Sequence, residues 1–343
     1  MSRIFFFNPE NDLALALGRR RFTPPKAAVA IRRGGCLLPL WWAGKEDFVL
    51  VDTPQAMSGA LAMKRRYGLE SEVVTKAPAD AIPCPWGWSH YARRVLEAAG
   101  TEASLLPGDD TLDRLRMLSH RRTSLAMHRQ LGTDPRLMPV EAFSLQEAMD
   151  AVSRFVEAVV KLPWSSSGRG VIYSSALPPD TFRNVVSGMI KRQGSVMVEP
   201  RYNRISDFAM LFECRGRQAY FVGLSMFVTA DKGFYCGNLV AGDKEIARRT
   251  GTDLSHLIPA VGDALTKVVA AHYSGPAGVD MLTYRDSSGG VAIAPCIEVN
   301  LRMTMGFAAR AVMNRLAPEA PMLLRVGPDG IHLCPETLSS SIS

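Results

Sequence analysis

The strongest constraint on the fold is a pair of apolar segments near the C-terminal end of the chain, residues 277–284 and 291–300. The residues between them, at 285–290, are Arg-Asp-Ser-Ser-Gly-Gly, which has the composition of a tight turn. The pattern predicts two antiparallel strands joined as a hairpin. Because side chains alternate between the two faces of a strand, polar residues at every second position of this hairpin share one face.

The polar residues of this hairpin are two acids, an amide and a base. Glu298, Asn300 and Arg302 stand at alternate positions of the second strand, and Asp280 lies on the first. Two carboxylates and a carboxamide that converge across two strands make an oxygen-rich site suited to Mg²⁺, which takes one or two carboxylates plus nucleotide phosphates. A half-exposed polar face of an ordinary strand explains the same pattern about as well, so the upstream sequence must decide between the two.

Composition limits the class of protein. The chain has 343 residues, of which 47% are hydrophobic and 21% are charged. It is therefore long enough for two or three packed units and is typical of a globular protein. It lacks the apolar run of roughly 18–20 residues that a membrane span needs, as well as the apolar core of a signal peptide. The six cysteines form no Cys-x-x-Cys pair, so we expect reduced thiols in a cytoplasmic protein without membrane contact.

The distribution of charge argues for a small anionic partner at least as well as for nucleic acid. The formal net charge is +7. Residues 1–136 carry 20 Lys and Arg against 14 Asp and Glu, whereas residues 137–343 carry 20 against 19. The basic clusters lack the interleaved aromatic residues of a groove that binds single strands. Nucleic acid is therefore the less favoured partner.

The N-terminal sequence predicts a strand, a polar loop and a helix. An apolar run at residues 4–7 stops at Asn-Pro-Glu-Asn-Asp (8–12), and an Ala/Leu-rich segment follows. Open α/β sheets place ligand-contacting groups in the loop after such a strand. Asn8, Glu10 and Asn11 are therefore candidate substrate residues.

The rest of the first 118 residues fits an α/β domain. A second strand is expected at 48–51, and a helix at 86–99 that ends at Gly100. The proline- and tryptophan-rich sequence at 83–88 predicts a rigid connection before it. Asn238, in a glycine-bearing loop farther along the chain, is one more candidate substrate residue.

A lysine inside an apolar strand points to an anion. Lys161 lies within the apolar segment 158–162, where an unpaired ammonium group would be costly, so a phosphate is its natural partner. The loop 165–170 that follows reads Ser-Ser-Ser-Gly-Arg-Gly, and a further strand is expected at 171–173. Hydroxyl and backbone N–H groups of such a loop can close over phosphates. The loop matches neither the P-loop nor the dinucleotide-binding fingerprint.

Taken in order, these motifs resemble the ATP-grasp superfamily, which includes biotin carboxylase, D-alanine:D-alanine ligase and glycinamide ribonucleotide synthetase. Lys161 and the loop 165–170 resemble the family's lysine strand and glycine-rich flap. The sequence 198–200 resembles its adenine-binding hinge, and the segments 278–282 and 297–302 resemble its paired metal strands. The similarity covers residues 119–310.

The resemblance implies a role for each site residue. Arg121 stands where the family has a phosphate-binding lysine, and Asp207 stands where similar proteins hold the ribose hydroxyls. Lys161 and Arg302 are the expected catalytic residues, with Arg302 steadying the reacting phosphate. ATP and Mg²⁺, or Mn²⁺ in its place, are the expected cofactors, with two metal ions on Asp280, Glu298 and Asn300. The expected nucleotide-binding residues are Arg121, Lys161, Ser165, Ser166, Ser167, Gly168, Arg169, Gly170, Glu199, Pro200, Tyr202, Asp207 and Leu282.

The implied fold is α/β, of the α+β ATP-grasp type, in which an N-terminal α/β domain precedes two subdomains that clamp ATP. The domain boundaries follow from the motifs. We expect the N-terminal domain at 1–118, the lid subdomain at 119–198 and the subdomain with the metal site at 199–320. A terminal hairpin and a frayed tail complete the chain at 321–343.

By resemblance, the expected activity is that of a ligase that activates a small carboxylate as an acyl phosphate for capture by an amine or a similar nucleophile. Two alternatives stay open: a small-molecule kinase of the same fold, and a basic nucleic-acid-binding protein with a regulatory ATP site. The resemblance is also compatible with a homodimer.

Overall fold

The computed structural model describes residues 2–165, 170–229 and 235–336. The chain divides into two compact units. The first consists of Met1–Arg116, Gly223–Ile246 and Leu301–Ser343, and the second of Met117–Val222 and Ala247–Asn300, so far as these ranges are described. The four-part division made from the sequence stays a prediction.

Strands and helices alternate along the first part of the chain, and long strands dominate the later part. The strands are β1 (Arg3–Phe6), β2 (Phe48–Leu50), β3 (Glu72–Val74), β4 (Ile82–Pro85), β5 (Val140–Ala142), β6 (Ala158–Lys161), β7 (Val171–Tyr173), β8 (Val196–Pro200), β9 (Arg204–Arg215), β10 (Gln218–Thr229), β11 (Tyr235–Val240), β12 (Gly275–Arg285), β13 (Val291–Asn300), β14 (Met322–Gly327) and β15 (Gly330–Pro335). The helices are α1 (Asn11–Leu17), α2 (Lys26–Gly35), α3 (Gln55–Tyr67), α4 (His90–Ala99), α5 (Asp109–Leu118), α6 (Arg122–Gln130), α7 (Leu145–Val152), α8 (Pro179–Gln193), α9 (Asp243–Thr250), α10 (Leu257–Leu265) and α11 (Met305–Leu316). Short 3₁₀ turns lie at Leu38–Trp41, Ala103–Leu105 and Pro135–Leu137, and a π-helical turn, Thr266–Ala270, follows α10.

A parallel sheet with the strand order β3-β2-β1-β4 forms the centre of the first unit. Both of its faces are covered, because Phe6 packs with Leu50 and Leu96 in one apolar cluster while Phe7 packs with Val49 in another. Parallel strands buried on both faces are apolar at consecutive positions. This burial explains the apolar run at the start of the chain.

Strand β4 replaces the connection that the sequence predicted at 83–88. Ile82–Pro85 pairs in parallel with Arg3–Phe6 at the edge of the sheet. An edge strand tolerates proline because the missing N–H group does not interrupt the pairing inside the sheet. Helix α4 consequently begins at His90 rather than at residue 86, with Ser89 as its N-cap, and ends at Gly100 as predicted.

The first unit also contains an antiparallel group of strands. The end of β10 pairs with β11, β11 with β14, and β14 with β15. Helix α11 packs against β11. The terminal hairpin expected after residue 321 is therefore β14–β15, whereas the expected frayed tail, 337–343, lies outside the described residues.

Two sheets build the second unit. One has the order β5-β8-β6-β7 and is antiparallel, and α7 and α8 cover it around Val160, Val186 and Val198. In the other, β12 pairs with β13 on one side and with β9 on the other, again antiparallel. The hairpin predicted at residues 277–300 is therefore confirmed.

In the described part of the chain, none of the helices combines the length and apolar character that a membrane crossing requires. All six cysteines lie in that part and are free thiols, as the sequence predicted.

Candidate active site

One cavity in the second unit collects six of the residues predicted to bind the nucleotide. Its volume is ≈ 690 Å³. Strands β6, β7, β8, β9, β12 and β13 contribute to its wall, which combines apolar side chains with charged ones. The six predicted residues in the wall are Lys161, Glu199, Pro200, Tyr202, Asp207 and Leu282.

Lys161 and Glu199 form a buried ion pair in this wall. Lys161 Nζ donates to Glu199 Oε2 at 2.5 Å, and the two residues are 8% and 5% exposed. Val159 is paired with Glu199 across β6 and β8, so Lys161, two positions farther along β6, reaches the carboxylate diagonally on the same face. The sequence predicted a phosphate as the partner of this ammonium group, and within the chain its partner is the carboxylate of Glu199. An ammonium group has three N–H donors, so the pair leaves Lys161 able to bind a ligand as well.

Asp207 and Tyr202 add a second polar region to the same cavity. Asp207 Oδ2 lies 2.9 Å from Arg204 Nη1. Burial raises the pKa of Asp207, and the guanidinium group of Arg204 opposes that shift. The ring of Tyr202 packs on that of Tyr284 with centroids 4.6 Å apart, and burial raises the pKa of the Tyr202 hydroxyl. The hydroxyl is thus a neutral hydrogen-bonding group at physiological pH.

The predicted metal ligands lie side by side on the hairpin β12–β13. Asp280 and Glu298 are direct cross-strand partners. Asn300 Nδ2 donates to Asp280 Oδ2 at 2.9 Å, which orients that carboxylate. Glu298 Oε1 lies 3.1 Å from Arg121 Nη2. Arg121, which precedes helix α6, therefore places a positive charge beside one of the two acids of the hairpin.

Arg121 connects this hairpin with the end of β6. Its Nε donates to Leu162 O at 3.1 Å and its Nη2 donates to Ser165 Oγ at 3.0 Å. The side chain is 7% exposed. Since Ser165 opens the predicted flap, Arg121 lies between the flap sequence and Glu298.

The flap itself is described only at its two ends. Ser166, Ser167, Gly168 and Arg169 lie outside the described residues. At the other end, Gly170 O accepts from Leu162 N at 2.8 Å, which continues the pairing of β6 and β7.

The donor set of the hairpin fits Mg²⁺ or Mn²⁺ better than zinc. Within residues 2–165, 170–229 and 235–336, no group of three His, Cys, Asp or Glu side chains is arranged to hold a metal ion on its own. Asp280 and Glu298 offer carboxylate oxygens alone, and Mg²⁺ typically takes one or two carboxylates from the protein and the rest of its ligands from phosphates and water.

Arg302 lies outside strand β13, so the prediction that it continues the alternation of that strand is wrong. Strand β13 ends at Asn300, and Arg302 belongs to the first unit. Its Nε and Nη2 donate to the two carboxylate oxygens of Asp12 at 2.8 and 2.6 Å, and its Nη1 donates to Met303 O. Asp12 thus holds the guanidinium group through a two-point ion pair. The catalytic role of Arg302 stays a prediction.

The candidate substrate residues of the N-terminal loop all have partners within the first unit. Asn8 Nδ2 donates to Gly87 O at 2.8 Å, and Gly87 N donates to Asn8 Oδ1 at 3.3 Å. Glu10 Oε1 lies 2.5 Å from Arg32 Nη1. Asn11 is buried against Gly87. Asn8 and Asn11 connect the loop after β1 to the segment after β4, and Glu10 connects it to helix α2. A substrate role for the three residues stays a prediction.

Asn238 lies in strand β11 and not in the loop that the sequence predicted, and it is likewise buried in a polar group of the first unit. Tyr235 donates its hydroxyl to Asn238 Oδ1 at 2.5 Å, and Asn238 Nδ2 donates to Ser225 Oγ at 2.9 Å. These bonds orient β11 against β10. Its role towards a substrate also stays a prediction.

Replacing Gly87 with alanine is expected to destabilise the protein. A Cβ atom at this position would lie 2.4 Å from the side-chain amide of Asn11, and such overpacking costs about 1–3 kcal/mol. Chemical denaturation measures the loss. Gly59→Ala is the matched control, because a Cβ atom there lies 3.5 Å from Leu37 and alanine favours the helix α3. If the two variants have the same free energy of unfolding, the loop accommodates the added methyl group without loss of stability, and the prediction is wrong.

Two arginines of the cavity wall, Arg201 and Arg204, were not predicted from the sequence. Arg201 stacks on Tyr173, with its guanidinium carbon 4.7 Å from the ring centroid, and pairs with Glu157 at 2.5 Å. Arg204 pairs with Asp207. The motif order pointed to Glu199 and Asp207 but carried no signal for the arginines between them.

Comparison with known proteins identifies the fold. No model of a protein family matches the sequence, and no curated protein matches it either. Three of the solved structures that match it illustrate the likeness. The β,γ-ATP complex of biotin carboxylase from Campylobacter jejuni is 11% identical with a TM-score of 0.50, over 97% of this chain and 74% of that one. N5-carboxyaminoimidazole ribonucleotide synthetase from Thermus thermophilus is 14% identical with a TM-score of 0.49, over 94% and 83%. D-alanyl-alanine synthetase A from Vibrio cholerae O1 biovar eltor str. N16961 is 13% identical with a TM-score of 0.42, over 69% and 76%.

The match to biotin carboxylase spans nearly the whole chain, and it agrees with the N-terminal parallel sheet and the antiparallel sheets that follow. The chain has the α/β ATP-grasp fold, as the ordered motifs between residues 119 and 310 indicated. At 11% identity the likeness extends to the fold, and the chain is not assigned to a subgroup.

Proposed function

We propose that the protein is an ATP-dependent ligase that activates a small carboxylate as an acyl phosphate, which an amine then captures to form a carbon–nitrogen bond. The observation that carries the proposal is the convergence of Lys161, Glu199 and Asp207 on one cavity of ≈ 690 Å³ within an ATP-grasp fold. This volume is within the range of pockets that enclose small-molecule ligands.

The second unit offers a partner for each part of the nucleotide. Lys161 and Glu199 place a hydrogen-bond donor beside an acceptor, as an adenine edge requires. Asp207 offers a carboxylate to the ribose hydroxyls. Arg121, held by Leu162 O and Ser165 Oγ, supplies positive charge for the phosphates.

Asp280, Glu298 and Asn300 are the residues that would hold Mg²⁺. The ion, when bound, neutralises the charge that develops on the β- and γ-phosphate oxygens. Arg121 adds a fixed positive charge beside Glu298, at 3.1 Å. Fixed charges aimed at a transferring phosphoryl group are the main source of catalysis in such reactions, so no side-chain nucleophile is required.

The proposed reaction has two steps. A carboxylate oxygen attacks the γ-phosphorus atom of ATP, and the bond between that phosphorus and the β,γ-bridging oxygen breaks to release ADP. The amine then attacks the carbonyl carbon of the acyl phosphate. The bond from carbon to the bridging oxygen breaks, phosphate leaves with that oxygen, and the nitrogen loses a proton.

The geometry predicts a preference for ATP over GTP. The edge of adenine presents the acceptor N7 and the donor N6, whereas guanine presents two acceptors, N7 and O6. Lys161 beside Glu199 matches adenine, and the Glu199 carboxylate would repel guanine O6. Since a matched pair of hydrogen bonds discriminates by about 1–3 kcal/mol, we expect ATP to bind roughly tenfold or more tightly than GTP in calorimetric titration.

Glu199→Gln is the matched variant for this preference. Its carboxamide can donate to guanine O6, so the ratio of the two dissociation constants should fall. A wild-type protein that binds the two nucleotides equally would reject the adenine assignment.

Product analysis tests the proposed function itself. The protein is incubated with ATP, Mg²⁺ and pooled small carboxylates, and hydroxylamine is added as the nucleophile. An acyl phosphate gives a hydroxamate together with ADP and phosphate, whereas a small-molecule kinase gives a stable phosphoester. A phosphoester, or the absence of both products across broad pools, would contradict the ligase proposal.

A further inference from the structure

Asp207 faces the cavity from strand β9 with one oxygen already engaged. The residue is 9% exposed, and its Oδ2 lies 2.9 Å from Arg204 Nη1. This leaves Oδ1 for a ligand. Burial raises the pKa of Asp207, and the guanidinium group of Arg204 opposes that shift.

A regular strand would keep Arg204 away from Asp207. Residues three positions apart in a strand point to opposite faces, since the side-chain period is two. Strand β9 departs from this rule, because Asp207 and Ser206 pair with successive residues of β12 while the next residue of β12 pairs with Arg204. Ile205 is therefore an extra residue in β9, and its side chain is 45% exposed.

This β-bulge returns Arg204 to the face that carries Asp207. Because Ile205 has no partner position in β12, Arg204 and Asp207 are two pairing positions apart instead of three. Residues two positions apart in a strand point to the same face. Bulges commonly redirect a side chain next to a functional site. Here the redirected side chain lines the cavity and pairs with the buried carboxylate.

We infer that Arg204 is a positioning residue that holds the Asp207 carboxylate turned towards the two ribose hydroxyls of the nucleotide. The inference rests on the proposed function, because it assumes that ATP occupies the cavity. Arg204 acts through Asp207 and not through the phosphates. It thereby sets the selectivity of the site for ribonucleotides over deoxyribonucleotides.

The test compares the dissociation constants of ATP and 2′-deoxy-ATP, measured with Mg²⁺ on the full chain by calorimetry. A hydrogen bond to a charged group contributes about 1.5 kcal/mol or more, so the wild-type protein should prefer ATP by about tenfold. In Arg204→Ala the preference should fall to about twofold or less, because binding of ATP weakens more than binding of 2′-deoxy-ATP, which has only the 3′-hydroxyl to lose as a partner of Asp207. Arg204→Lys, which keeps the charge, should recover part of the preference.

Two further variants separate positioning from general damage to the pocket. In an Asp207→Asn background, Arg204→Ala should cause no additional loss of selectivity, because the carboxylate that Arg204 positions is absent. Arg201→Ala, which removes another arginine of the same wall with its own partner Glu157, should change the affinities for both nucleotides by the same factor and keep their ratio.

The outcomes distinguish this inference from the proposed function. If the wild-type protein prefers ATP and Arg204→Ala leaves the ratio of the two dissociation constants unchanged, the positioning role of Arg204 is overturned. The proposed function is not affected by that result. A wild-type protein that binds both nucleotides equally overturns the positioning role too. If the wild-type protein binds neither nucleotide, the proposed function falls, and this inference falls with it.

Discussion

Glu298→Ala is expected to abolish ATP turnover in a protein that stays folded. The substitution removes one of the two carboxylates that face each other across β12 and β13. Charge stabilisation by a bound metal ion contributes several kcal/mol, so its loss should slow turnover by about 10³-fold. The measurement is ADP formation with Mg²⁺ and pooled carboxylates and amines. In addition, Mg²⁺ should strengthen ATP binding to the wild-type protein but not to the variant.

The structure also explains why the fold should survive this change. The Glu298 side chain is 29% exposed, and Arg121 keeps its bonds to Leu162 O and Ser165 Oγ when the carboxylate is gone. Asp180→Asn, at an exposed carboxylate of α8, is the matched control and should leave turnover unchanged. Near-normal turnover in a folded Glu298→Ala variant would reject the metal assignment.

Lys161→Ala is expected to lower both stability and nucleotide affinity. It leaves the carboxylate of Glu199, 5% exposed, without its partner. Removing one member of a buried ion pair costs about 3–5 kcal/mol, which urea denaturation can measure. Loss of a charged contact to the nucleotide should weaken ATP binding by about 100-fold in titration calorimetry.

A double variant separates the two effects. Lys161→Met together with Glu199→Gln removes both charges and keeps similar volumes, and neutral replacements of a buried pair are often tolerated. We therefore expect most of the stability to return while ATP affinity stays low. If ATP affinity returns together with stability, Lys161 stabilises the fold and does not contact the nucleotide.

The elements that could be predicted from the sequence show a regular alternation of polar and apolar residues and are bounded by residues typical of turns. The hairpin β12–β13 alternates polar with apolar side chains around a Gly/Ser turn, and β6–β7 surrounds a similar loop. Helix α3 was not predicted, because its apolar residues include Leu61 and Met57, which are 59% and 42% exposed. Apolar side chains on the solvent-exposed face obscure the spacing of three to four residues by which an amphipathic helix is predicted from its sequence.

The site could be predicted where the order of motifs, rather than local spacing, carried the information. Lys161, Glu199 and Asp207 lie in one cavity although the sequence separates them widely. Arg204 was not predicted because a bulge changes the face of its side chain, and no local pattern marks the bulge. Arg302 was misplaced because the alternation continues in the sequence after β13 has ended at Asn300.

The N-terminal loop shows another limit of sequence reading. Its polar residues were interpreted as substrate contacts, and the structure gives them partners within the chain. Asn8 bonds to Gly87, 79 residues away, and Glu10 pairs with Arg32. Contacts between loops of neighbouring strands depend on strand order, which the sequence pattern of a single loop does not contain.

Transfer of labelled oxygen tests the central claim, activation of a carboxylate by ATP, most directly. The protein is incubated with ATP, Mg²⁺, an amine pool and small carboxylates labelled with ¹⁸O, and the released inorganic phosphate is analysed by mass spectrometry. An acyl phosphate leaves one carboxylate oxygen on the phosphorus, so we predict one ¹⁸O atom per phosphate released. Unlabelled phosphate would reveal plain hydrolysis of ATP, a stable phosphoester formed without release of labelled phosphate would reveal a kinase, and either result would contradict the account.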